Sequence, residues 1–233
     1  MEFQLDYGET HLIIKSDKDL RKQALDELIK SYSDIVSYIN SDPLFKASYE
    51  PVKVRDDAPE IVKDMADAAK ECDVGPMAAV AGAIAEKVAS RMLSEGANDV
   101  LVENGGDIYV KASSEKKIGI YAGQSRFSGK LAFKIMPEDT PIAVCTSSGS
   151  VGHSVSMGNA DSATVLSKSA ALADAAATAL ANMIKNRQDI ESAISKAKNI
   201  RGVMGCVIVA EDRVGAWGKI PELARLNSLK LNK

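Results

Sequence analysis

Two hydrophobic rhythms alternate along this chain, and the changes between them divide it into elements. Residues 3–15 alternate with a period of two and read as one or two strands, with Tyr7-Gly8-Glu9 as a turn. Leu20, Ala24, Leu28, Ile35 and Ile39 then recur at helical spacing over residues 18–40, and Ser41-Asp42-Pro43 stops that helix. Residues 44–57 are mixed and polar. Pro59 suits the first turn of a short helix that reaches Glu71. Gly75-Pro76 opens a better-marked helix, with Met77, Val80, Ala81, Ile84, Val88 and Met92 in its apolar pattern and Gly96 as a left-handed cap. Asp99-Val100-Leu101-Val102-Glu103 reads as a strand and Ile108-Tyr109-Val110 as its return, because Asn104-Gly105 between two strands is a hairpin signal.

Further strands are predicted at 118–122, 129–136 and 141–145. Residues 146–160 are rich in Ser and Gly and read as a functional loop. A short strand over 163–166 precedes an Ala-rich helix from about Ser169 to Lys185. A helix near 188–198 leads to strands at 203–210 and 213–217. Helices thus alternate with hairpins, which predicts an α+β fold of antiparallel sheets with packed helices, not a parallel βαβ sheet. With no linker, low-complexity tract or internal repeat, residues 1–233 are expected to form a single domain.

Composition narrows the function classes. Of 233 residues, 45% are hydrophobic and 26% charged, which excludes a disordered chain. The 29 basic and 32 acidic residues leave a net charge of −3, so a nucleic-acid partner is not expected. The 5% of aromatic residues offer few stacking platforms. No apolar run spans a bilayer, and the start, Met1-Glu2-Phe3-Gln4-Leu5-Asp6, does not resemble a signal peptide. Cys72, Cys145 and Cys206 stand far apart, as reduced thiols would. Together these predict a cytoplasmic protein with no membrane partner. Neither common glycine-rich nucleotide loop is present. With only His11 and His153, any metal must be held mainly by oxygen, which favours magnesium or calcium.

Three segments carry candidate chemistry. In the Ala-rich helix, Asp174 and Thr178 stand four residues apart and share a face. A carboxylate among so many small apolar residues needs a partner. That partner is either a divalent cation, with Thr178 as second ligand, or a distant arginine. Asn104-Gly105-Gly106-Asp107 is a hairpin turn whose glycines let backbone N–H groups approach an anionic ligand. Cys145-Thr146-Ser147-Ser148-Gly149, with His153 downstream, gathers hydroxyls, a thiol and an imidazole. It reads either as a polar loop or as an anion site in which His153 acts as acid, base or donor.

Taken in order, these segments resemble the ApbE-like superfamily, whose flavin-transferase fold has some similarity to the T-fold. The matching residues are the helix containing Gly82, then Asn104-Gly105-Gly106-Asp107, then Thr146-Ser147-Ser148-Gly149 with His153, then Ala173-Asp174-Ala175-Ala176-Ala177-Thr178. The resemblance implies Mg²⁺ held by Asp174, Thr178 and a backbone carbonyl near Ala78 to Ala81. It implies a cofactor or substrate, FAD or FMN, against Asn104, Gly105, Gly106, Asp107, Thr146 and Gly149. It makes His153, Ser147 and Ser148 candidate catalytic residues, and Cys145 joins them in the sulfur reading given below. Family members cleave FAD and pass FMN to a threonine of an acceptor protein, or bind flavin. This chain departs from the pattern at Ala81, where a Lys is expected. The segment after the Ser-rich stretch, Ser154-Val155-Ser156-Met157-Gly158, also lacks the family's H-x-x-D-P-x-T-G run. Two other readings stay open. One is a sulfur-handling protein of sulfur amino-acid metabolism that uses Cys145 at the mouth of the site. The other is a non-catalytic ligand-binding protein.

Overall fold

The computed structural model describes residues 1–149 and 158–225. Strand β1 (Glu2–Tyr7) turns at Gly8, whose φ of 57° is left-handed, into β2 (Thr10–Ser16). Helices α1 (Arg21–Ser41), α2 (Leu44–Ala47), α3 (Glu60–Cys72) and α4 (Val80–Ser94) follow. The polar stretch after Pro43 thus contains one short helix that its sequence did not announce.

Strands β3 (Val100–Asn104) and β4 (Asp107–Lys111) form the expected hairpin. Next come β5 (Lys116–Gly119), β6 (Leu131–Ile135), β7 (Ile142–Ser147) and β8 (Ser162–Ser167). The chain continues through α5 (Ala170–Met183) and α6 (Ile190–Asn199) to β9 (Val203–Ala210), β10 (Arg213–Gly218) and β11 (Glu222–Arg225).

Eight strands form one antiparallel sheet in the order β1-β2-β3-β4-β7-β8-β9-β10. This is a meander interrupted once, between β4 and β7. There the chain leaves to build a second sheet, ordered β11-β6-β5. The fold class is therefore α+β with antiparallel sheets and packed helices, as the alternation of hairpins and helices predicts.

The large sheet separates two apolar layers. On one face Leu12, Ile14, Val102, Tyr109 and Val165 pack under α1, α3, α4 and α5. On the other, Val110, Ile142, Val144 and Val207 pack against Phe133 and Ile135 of the small sheet. Because successive strand side chains point to opposite faces, each residue of β4, β7 and β8 belongs to one layer or the other. That alternation decides where the candidate residues go. No helix among the described residues is long and apolar enough to cross a membrane.

Candidate functional site

Strand β7 continues through Thr146 and Ser147, which pair with Thr164 and Ala163 of β8. This corrects the expectation of a loop beginning at residue 146. Ser and Thr favour turns in isolation, but the ladder with β8 holds them extended. Alternation then splits the hydroxyl run. Cys145 and Ser147 face the helices, whereas Thr146 faces the second sheet.

On the helix face, Asp174 lies in the middle of α5. It is 8% exposed, Thr178 one turn on is 7% exposed, and Asp107 on β4 is 7% exposed. The Gly82 N–H donates to Asp174 Oδ2 at 2.9 Å, and the Ala81 N–H also donates to this carboxylate. In an uninterrupted α-helix the Gly82 N–H would serve the Ala78 carbonyl. Here a 3-10 turn over Pro76–Ala79 precedes α4, and the N–H is turned to Asp174 instead. Helices α4 and α5 approach so closely that a Cβ on Gly82 would lie 2.3 Å from the Ala170 carbonyl oxygen. The glycine and the alanines of α5 are what permit that approach.

Asn104 ties the hairpin to the same helix start, its Nδ2 donating to the Ala81 carbonyl at 3.1 Å. The Thr146 N–H donates to Asp107 Oδ1 at 3.2 Å. The expected closeness of the Asn104–Asp107 turn to the Thr146–Gly149 segment is therefore seen. Gly105 and Gly106 have φ of 62° and 106°, which the turn requires. No backbone crowds them, so space remains above the turn.

The electrostatics are those of an unneutralised acidic pocket. Burial raises the Asp107 carboxyl to about 7, against the lowering effect of its hydrogen bonds to Cys145 and Thr146. Burial, then the charge of Asp107, pushes Asp174 well above the usual carboxylate range. The charge of Asp107 thus opposes ionisation of Asp174 beside it. No lysine or arginine pairs with either carboxylate among the described residues. The distant-arginine alternative for Asp174 thus finds no support there.

Cys145 is fully buried, with its Sγ 3.6 Å from the Ala170 carbonyl. Burial and the two carboxylates push its thiol well up. Cys145 is therefore a buried strand cysteine, and the sulfur-handling alternative, which needs a thiol at the site mouth, finds no support, since a nucleophilic cysteine needs the opposite surroundings. The Ser147 hydroxyl is buried with no hydrogen-bond partner among the described residues. Helix α5 runs alongside β7 here, for Ala170 lies on Cys145 while Ala181 lies on Gly158, which in turn touches Gly149. Ser147 stands between those contacts, beside the Asp174–Thr178 turn.

The remaining expected residues lie elsewhere. The Gly149 amide, expected to face an anion, donates to the Ala160 carbonyl at 2.9 Å, and the glycine is packed against Gly158. Thr146 and Ser148 line a cavity on the opposite face of the sheet. His153 lies outside the described residues.

The described residues contain no group of three or more His, Cys, Asp or Glu side chains placed to hold a metal ion. Asp174, Thr178 and a backbone carbonyl are a different donor set, of the kind Mg²⁺ accepts when substrate phosphates complete its shell. Two buried, uncompensated carboxylates and an orphaned Ser147 hydroxyl fit such an ion. A whole flavin nucleotide fits less well. The cavity beside Gly105, Gly106, Thr146 and Ser148 holds about 140 Å³, under half of the roughly 300 Å³ at which small-molecule pockets begin.

A large antiparallel sheet with helices on one face and a small sheet on the other, joined through a Gly-Gly-Asp turn and an Ala-rich helix, defines an ApbE-type protein. The family model described as "AbpE bacteria" matches residues 1–211, and the chain belongs to that family. A UPF0280 protein of Methanocaldococcus jannaschii is 45% identical over 223 residues, covering 93% of this chain and 90% of its own. A UPF0280 protein of Methanocella arvoryzae is 39% identical over 217 residues, covering 93% and 88%. Among solved structures, the Pseudomonas stutzeri flavinyl transferase ApbE matches with a TM-score of 0.61 at 13% identity, covering 94% of each chain. The flavin transferase ApbE of Vibrio cholerae matches with a TM-score of 0.53 at 16% identity, covering 94% of this chain and 96% of its own. At those identities the likeness speaks for the fold alone.

Proposed function

We propose that this chain is a magnesium-dependent enzyme of the ApbE type acting on a phosphate-bearing small molecule, with a flavin nucleotide as the first substrate to test. One observation carries the reading. Among the described residues Asp174 is a buried carboxylate without a basic partner, fixed by the Gly82 N–H and one helical turn before the buried Thr178. Ionising it in that setting is costly unless a cation is bound.

Asp174, Thr178 and a carbonyl of residues 78–81 would hold Mg²⁺, which supplies charge neutralisation at a phosphate. The turning of the Gly82 N–H away from residue 78 favours the Ala78 carbonyl for that role. The Ser147 hydroxyl, without a partner among the described residues, would orient a phosphate oxygen. Asp107, raised to about 7, can hold or release a proton at Oδ near neutral pH. Cys145 remains a thiol and hydrogen-bonds the Asp107 carboxyl.

The test is incubation of the purified protein with FAD and Mg²⁺, followed by chromatography for FMN and AMP. Cleavage that stops with chelator and in Asp174→Asn supports the reading. Mg²⁺-dependent binding of FAD without cleavage would favour the non-catalytic alternative, for which Ala81 in place of the expected Lys is the specific observation. Absence of both binding and cleavage would refute the flavin assignment.

A further inference from the structure

The large sheet ends in β1 on one side and β10 on the other, and each has an outer edge with no neighbouring strand among the described residues. Such an edge presents unpaired N–H and C=O groups and recruits another strand unless charge, proline or a bulge blocks it. On β1, Glu2 and Asp6 stand at alternate positions on the face away from the helices, which discourages a further strand. β10 has no such protection. Arg213-Val214-Gly215-Ala216-Trp217-Gly218 carries one charge, at its first position, no proline, and an unbroken register with β9. Val214 is 38% exposed, and Val and Trp favour extended backbone. The strand also lies past residue 211, where the match to the family model ends, so this edge is not part of the pattern that defines the family.

The side chains of β10 fit a second copy of β10. In antiparallel pairing about a two-fold axis, the register is set by the residue on the axis. With Gly215 there, Val214 opposes Ala216 of the second copy, and Arg213 opposes Trp217, a cation against an aromatic ring. Glu211, in the turn before β10, comes beside Lys219 just after it. Both charges are available. Lys219 has no ion pair among the described residues, and Glu211 is held only at 3.8 Å by Arg187, which lies 2.7 Å from Asp212. Moving the axis to Ala216 sets Arg213 against Lys219, a like-charge pair. Moving it to Val214 sets Glu211 against Trp217 and leaves Lys219 without a partner. Charge therefore selects the register centred on Gly215.

We propose that two copies of this chain associate through β10, antiparallel about a two-fold axis at Gly215, so that their large sheets join into one. Ile190 and Ile194 of α6 lie against Gly215, so the same axis brings the start of α6 near its copy and adds helix surface to the strand contact. A strand pair of this length alone buries less than the roughly 1,600 Å² of a standard interface, so the dimer is a weak one with a micromolar dissociation constant. It does not depend on the magnesium reading, and Asp174→Asn dimerises as wild type does.

The test is analytical ultracentrifugation of the full chain from about 1 to 300 μM, a range that spans micromolar dissociation constants. Wild type shifts from monomer to dimer across it. Lys219→Glu places a carboxylate beside Glu211 twice per dimer and weakens association about tenfold. Lys219→Glu combined with Glu211→Lys restores it, and thermal melts of the variants control for folding. The register has its own readout. Opposed Cα atoms of an antiparallel pair lie about 4.5–5.5 Å apart, within disulfide range. Under mild oxidation, Val214→Cys combined with Ala216→Cys yields a covalent dimer, and either change alone does not; the native cysteines are all buried. A wild type that stays monomeric throughout, or a dimer indifferent to Lys219→Glu, overturns the proposal. So does growth into longer species, which would mean that β10 meets a different strand. Cross-linking of the single variants as efficiently as the double one overturns the register centred on Gly215.

Discussion

Asp174→Asn should reverse the effect of magnesium on stability. The amide keeps the shape of the side chain and still accepts from the Gly82 N–H through its oxygen. It removes an ionisable group, so that no second charge has to be buried beside Asp107 in the absence of metal. In chelator at pH 8, the variant should therefore be at least as stable as wild type. Replacing uncompensated buried charge is worth on the order of 1–4 kcal/mol in comparable settings. With Mg²⁺ at about 100 times its dissociation constant, wild type gains roughly 2.7 kcal/mol by mass action. For a chain of this size that is a rise of about 5–11 °C in Tm. The Asp174→Asn variant loses the anionic ligand and should show no rise. The assay is a thermal melt of both proteins in EDTA and in Mg²⁺, each with and without ADP to complete the metal's coordination. If wild type shows no Mg²⁺-dependent shift even with ADP, or if the variant keeps the shift, the metal assignment is wrong.

Other outcomes follow from the same geometry. Asp107 binds its proton more tightly folded, at about 7, than at its ordinary value of 3.8, so its ionisation opposes folding. The penalty is absent below about pH 4, grows as pH rises, and is complete above about pH 7, with an upper bound of about 4 kcal/mol. Melts in chelator should fall from pH 5 to pH 8, and a rise would contradict the assigned burial. Gly82→Ala forces a Cβ to within 2.3 Å of the Ala170 oxygen. Overpacking of about 1–3 kcal/mol, less about 1 kcal/mol of helix propensity, leaves a net loss of up to about 2 kcal/mol in a urea melt. A stabilised variant would show that α4 and α5 do not touch there. Cys145 should resist thiol reagents under native conditions, and Cys145→Ala should retain the Mg²⁺ shift; rapid native labelling would revive a sulfur role. Limited proteolysis should not release two stable halves, since the eight-stranded sheet draws its strands from both ends of the described chain; two persistent fragments would overturn the single-domain expectation.

The elements of the fold were legible wherever local pattern and final environment agree. Helix α5 is an example: its small residues predict a close approach to a neighbour, and Gly82 is the position that receives it. Strand β11 was not legible, because Glu222-Leu223-Ala224-Arg225 has little strand preference of its own and is drawn extended by pairing with β6. The boundary of β7 was misplaced for the same reason, in reverse. Thr146-Ser147-Ser148-Gly149 carries turn chemistry, and only the partner strand β8 overrides it. That one shift turned Ser147 toward the helices and placed Thr146 on the cavity face. Glu103 gave no signal at all in the sequence. A single acidic residue in an alternating strand looks like a solvated position, and only the arrival of the second sheet makes it half-buried.

The hydrogen bonds between the three motifs explain why each is weak alone and informative in order. Asn104 of the turn holds the Ala81 carbonyl; the neighbouring Gly82 N–H holds Asp174; Asp107 of the same turn holds the Thr146 N–H. Each motif therefore supplies the partner that another lacks. A Gly-Gly turn without the α4 start would leave the Asn104 amide unpaired, and an Ala-rich helix without Gly82 would stand too far off to bury Asp174. Their joint presence in this order follows from that interdependence. The two groups the network leaves unmatched are the charge shared by Asp107 and Asp174 and the hydroxyl of Ser147. Both face the space beside α5, so the polar capacity that these three motifs leave unsatisfied is gathered where a cation and a phosphate would meet.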